Sequence, residues 1–102
     1  MSTADAAGKP PFFRHADAHI DLSNRQLEEA DRGAVSGSLM FASARFNAWL
    51  LASSAASLDD ARATRESSLD YLTRQYREML ADNLDDYLEA IERELVQPST
   101  AG

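Results

Sequence analysis

From Phe13 to Leu95 the apolar residues recur at steps of three and four, and no segment alternates apolar with polar residues in twos. A spacing of three and four follows the 3.6-residue turn of a helix, whereas a half-buried strand requires period two. No Asn-Gly or Asp-Gly pair is present to close a hairpin, and no internal repeat recurs. The pattern therefore restricts this chain of 102 residues to the all-α class. Its length suits one small domain with modest reserve for a core.

Punctuation divides the pattern into helices. The first is expected from about Pro11 to Arg32, opened by a proline and terminated by Gly33 in the left-handed region. Its apolar stripe is Phe13, Ala16, Ile20, Ser23, Leu27 and Ala30. The second is expected from about Ser36, acting as N-cap, to Ala56. It carries Leu39, Ala42, Phe46, Trp49 and Ser53 on one side and Met40, Ala44, Ala48, Leu51 and Ala55 on the other. A helix apolar on both sides must be covered on both, which makes it the middle of a sandwich. A third helix opens at Ser57, which can cap it with Asp60 three residues on. Asp70–Arg74 and Glu89–Arg93 are spaced to pair along the outer surface of this last segment.

The third helix does not keep phase. Leu69, Leu72, Tyr76 and Met79 centre on one direction; Leu84, Leu88, Ile91 and Leu95 centre roughly 100° further round. Asn83, a good N-cap, lies at the slip, so a break is expected there with a short fourth helix from about Leu84 to Val96. The expected fold is an antiparallel bundle of three main helices, the third broken near residue 83. Its core is drawn from Phe13, Ile20, Leu27, Leu39, Phe46, Trp49, Leu50, Leu72, Tyr76, Met79 and Ile91. Residues 12–97 form this one domain, between disordered segments at 1–11 and 98–102. Break and assembly are linked. A break lets the strip at 84–95 turn back onto the other helices, whereas a straight helix leaves it for a second chain.

Composition narrows the function. A net charge of −7 and a pI near 4.6 oppose binding to nucleic acid, which needs a basic face, and to anionic membranes. With no cysteine there is no disulfide, thiolate metal site or cysteine nucleophile. No basic start followed by an apolar run marks a signal peptide, and no apolar run spans a bilayer, so the expected compartment is the cytoplasm. No Walker loop, dinucleotide glycine pattern or nucleophile–base set is present, so the chain is expected not to be an enzyme.

Three features remain as candidates. His15 and His19 are one helical turn apart and could chelate a divalent ion, but two ligands do not complete a site and no third is evident. They flank the core stripe of the first helix, where amphipathic residues commonly sit. Ala16 also occupies the place a metalloprotease helix gives to glutamate. Arg45 interrupts an apolar helix and is expected to pair with Asp17 or Asp21 at a seam rather than to bind an anion. Six acids between Asp82 and Glu94 read as a solvated face. No catalytic, cofactor or metal residue is therefore assigned, and no cofactor is expected.

"FFRHADAHIDLSN", "RGAVSGSLMFASARFNAW" and "YREMLADNLDDYLE" together resemble a family of short bacterial proteins, domain-of-unknown-function family 3144. The resemblance runs from about Phe12 to Glu92, with the middle block most specific. It implies a small all-helical bacterial protein and brings no activity, cofactor or catalytic residue. His15 stands where that family more usually carries a basic residue, which weighs against a metal. The expected role is a non-enzymatic protein-interaction module whose partner is another protein or a second copy of the chain. The alternative is a bundle binding a small ligand or a divalent metal through His15 and His19.

Overall fold

The computed structural model describes residues 8–96. Four helices lie wholly within them: α1 (Pro11–Gln26), α2 (Arg32–Ser54), α3 (Leu58–Ala63) and α4 (Arg65–Val96). No strand occurs among the described residues, so the class is all-α. Residues 1–7 and 97–102, which hold most of the N-terminal segment and all of the C-terminal tail expected to be disordered, lie outside them. The chain divides into two units, residues 1–50 and 51–102.

In the first unit α1 opens as its prolines dictate. Pro11 takes the first turn, where its missing N–H costs nothing, and the Pro10 carbonyl accepts from Phe13 and Arg14 at 3.0 and 3.2 Å. Lys9 reaches forward to Asp17, 2.6 Å away, and ties the entering chain to the helix. The exit differs from expectation. α1 ends at Gln26, and residues 27–30 form tight turns in which Glu28 and Glu29 donate to the carbonyls of Arg25 and Gln26. Asp31 then starts α2. Its side chain accepts from Ala34 at 2.8 Å and its carbonyl accepts from Val35 at 3.1 Å. Asp31 thus takes the capping place expected of Ser36, because it meets the free amides five residues sooner.

Gly33 therefore lies inside α2 instead of ending α1, and no described glycine has positive φ. A glycine held at helical angles stores backbone entropy in the unfolded chain. A Cβ there would meet nothing closer than Asp31 Oδ1 at 3.6 Å. Gly33→Ala should therefore raise stability by about 0.5–1 kcal/mol in chemical denaturation.

In the second unit the start of α3 follows the sequence. Ser57 is extended and its hydroxyl accepts from the Asp60 amide at 3.1 Å. Ser57→Ala should cost about 1 kcal/mol. The interruption comes at Thr64, not at Asn83. Thr64 sits at φ −96, ψ 3, and its hydroxyl bonds back to the Asp60 carbonyl at 3.0 Å, competing with regular helix geometry. From Arg65 the helix runs unbroken for 32 residues.

Asn83 caps nothing: its Nδ2 donates to the Met79 carbonyl at 2.7 Å, one turn back in a continuous helix. Asn83→Ala should accordingly leave stability unchanged or raise it by about 0.5 kcal/mol, since alanine is the better helix former, where loss of a cap would lower it. The phase slip resolves without a break if Leu80 replaces Met79 in the stripe. Leu69, Leu72, Tyr76, Leu80, Leu84, Leu88, Ile91 and Leu95 form one strip with mostly four-residue steps. Such spacing exceeds 3.6, so the strip drifts slowly round the helix, by roughly 80° from end to end.

The expected core is not formed within either unit. Val35, 6% exposed, is the one buried hydrophobic residue among those described. Leu72 is half-buried, while the other ten core residues are exposed. The physical reason is that a stripe identifies the apolar face of a helix but not what covers it. α1 and α2 leave Phe13, Ile20, Phe46 and Trp49 more than half exposed. The surface pairs Asp70–Arg74 and Glu89–Arg93 do not close either. The ion pairs among the described residues join Lys9 to Asp17 and Arg65 to Glu66. Solvated i,i+4 pairs gain little over the side-chain freedom they cost.

Candidate interaction surface

The largest concentration of exposed aromatic surface in the first unit lies on α2. Phe41, Arg45 and Trp49 follow one another at steps of four, with Phe46 and Ala48 beside them, and together with Ala42 they line a shallow open hollow. Phe41, Phe46 and Trp49 are 66, 59 and 61% exposed. The Phe46 and Trp49 rings stand 6.1 Å apart at 34°, so the two present a joined aromatic patch. Aromatic side chains bury about 150–250 Å² each and dominate interface energetics. Phe41 belongs to neither stripe of the sequence reading. Its signal was the run Phe41–Arg45–Trp49 along one helical row, masked because the helix is apolar nearly all round.

Arg45 is the one charged side chain in this hollow. It does not pair with Asp17 or Asp21 as expected, and Asp17 is engaged by Lys9 instead. Next to it, Asn47 donates to Ser43 Oγ at 3.5 Å and stays half-buried on the helix's own surface. The hollow can therefore take an apolar body and offer one guanidinium at its rim. A carboxylate beside an apolar side chain is its natural complement.

The other candidates do not converge. His15 and His19 are both exposed on α1. No group of three His, Cys, Asp or Glu side chains able to hold a metal occurs among the described residues, so the pair gains no third ligand there. The acids from Asp82 to Glu94 are solvated along the last turns of α4, as the sequence suggested. No helix among the described residues is long and apolar enough to cross a membrane.

The family described as "Protein of unknown function (DUF3144)" matches residues 12–88, a span that contains α1, α2, α3 and most of α4. The NMR structure of the protein NB7890A from Shewanella sp is similar to this chain at 33% sequence identity, with a TM-score of 0.74. The similarity covers 86% of this chain and 94% of that one, so the helical fold is shared over nearly the whole of both. No curated protein matches.

Proposed function

We propose that this chain, which belongs to the DUF3144 family, is a non-enzymatic protein-interaction module that works through its apolar helix faces. The observation that carries the proposal is the α2 patch, where Phe41, Phe46 and Trp49 all stand about three-fifths or more exposed on one helix. A contiguous aromatic patch of this kind marks a docking surface rather than ordinary solvent-facing residues. Its lining supports a role without catalysis. Acid–base or nucleophilic chemistry needs at least two polar groups within reach of each other, and Arg45 stands alone among aromatic and alanine side chains. The charge of −7 supports a protein partner over nucleic acid or anionic lipid. We keep the cytoplasm as the proposed compartment.

Trp49 is the only tryptophan, so its fluorescence reports this patch alone. At micromolar concentration its emission should lie to the blue and resist iodide, and dilution into the nanomolar range should shift it to the red and expose it to the quencher. Equal quenching at every concentration, together with unchanged sedimentation of a Phe41→Ala variant, would count against the patch as an interface.

A further inference from the structure

The continuous α4 leaves a second apolar surface, and the spacing of its residues bears on what could cover it. The strip from Leu69 to Leu95 is about 39 Å long at 1.5 Å per residue, whereas α1 and α2 reach only about 24 and 34 Å, so neither spans it end to end. Apart from half-buried Leu72, its residues are exposed, from 42% at Leu69 to 75% at Leu95. The strip is also nearly its own mirror image in sequence. Turned end for end about its middle, Leu80 falls opposite Leu84, Tyr76 opposite Leu88, and Leu69 opposite Leu95. That is the requirement of a two-fold interface, in which residue i meets j and j meets i.

We propose that α4 pairs antiparallel with α4 of a second copy, the two strips forming a seam about a two-fold axis. The proposal deepens the interaction-module reading and names its partner, but rests on a different helix. Charge agrees with it. On the helical wheel Glu78, Asp82 and Asp86 lie on the side away from the strip, so the acidic face stays in water. Arg77 and Asp85 flank the strip on the same side, and in an antiparallel pair equal flanks face each other. Arg77 of each copy then lies across from Asp85 of the other. Arg77 takes part in neither ion pair of the described residues, which join Lys9 to Asp17 and Arg65 to Glu66. The area also suffices. A half-exposed side chain of this size still offers on the order of 60 Å², so eight on each of two copies give on the order of 1,000 Å². Met79 and Tyr87, both exposed beside the strip, carry the total toward the roughly 1,200–2,000 Å² of a stable interface.

The absence of native cysteine makes the test direct. Full chains carrying Tyr76→Cys are mixed with full chains carrying Leu88→Cys and oxidised, with Glu78→Cys and Asp86→Cys as a control pair on the opposite face. The expected result is a disulfide mainly between unlike chains at 76 and 88, well above the control. Leu84→Glu should in addition weaken self-association at least tenfold in sedimentation. Links mainly between like chains would mean a parallel pair and overturn the proposal, as would linkage no higher than the control. The two readings fail separately. A Trp49 emission that responds to dilution without a 76–88 link rejects the α4 seam and keeps the α2 patch; a link with an unresponsive Trp49 does the reverse.

Discussion

The melting temperature of this protein should rise with its own concentration, by about 3–6 °C for each tenfold increase. Among the described residues neither unit covers its apolar side chains: Val35 is buried in the first, and in the second even Leu72 is only half-buried. A chain in this state lacks the burial that normally offsets conformational entropy, so its folded form draws stability from whatever covers its helices. If the cover is a second copy, mass action contributes about 1.4 kcal/mol per tenfold concentration for each dimer, or about 0.7 per chain. A change of about 1 kcal/mol moves the midpoint of a domain this size by roughly 4–8 °C, which sets the expected slope. The measurement is a thermal melt followed by circular dichroism over a hundredfold range of protein. A midpoint independent of concentration would show that the chain closes on itself and that the exposed faces meet within one molecule.

Salt should act in the same assay. Each copy carries −7, so two copies repel at long range while their apolar strips attract at short range. Raising ionic strength screens the repulsion and leaves hydrophobic association in place. The midpoint should therefore increase with moderate salt. An interface held mainly by ion pairs would show a fall instead.

The helical content was legible in the sequence because periodicity is local. The cap at Ser57 was legible for the same reason: a hydroxyl followed three residues later by an acid needs no information from elsewhere in the chain. The boundary between α1 and α2 was misplaced because two signals competed. Glycine at 33 reads as a terminator, but Asp31 offers an equally good cap two residues earlier, and a cap that engages the Ala34 amide draws Gly33 into the helix. At Asn83 an intrinsic preference lost to continuity. Its side chain found the Met79 carbonyl, and a strip routed through Leu80 needed no break. Burial was the least legible property. A wheel shows that Phe46, Trp49 and Ile91 share apolar faces with their neighbours, but covering them depends on contacts far along the chain or on another molecule, and neither leaves a periodic signature. The α2 patch was half legible: Arg45 and Trp49 stood out as residues, but the hollow they form with Phe41 follows from exposure.

Trp49→Ala separates a core from an interface most sharply. Were Trp49 packed inside the chain, truncation would remove about 3–5 kcal/mol from the isolated molecule at any concentration. At 61% exposed, the indole has little burial to lose within the chain. The variant should therefore melt like the parent at high dilution, where single chains prevail. The cost should appear in association. Truncation of a central aromatic in an interface typically removes about 2–4 kcal/mol, or roughly 30- to 1,000-fold in affinity. Sedimentation equilibrium of parent and variant, paired with melts at the lowest workable concentration, reads both quantities. A Trp49→Phe variant should recover most of the affinity, because a large ring still fills the space beside Phe46. Full loss in both variants would instead point to the indole N–H as the group that matters. A fall in the melting temperature of the dilute single chain by the amount expected of a core site would place Trp49 inside the molecule and remove α2 as a docking face.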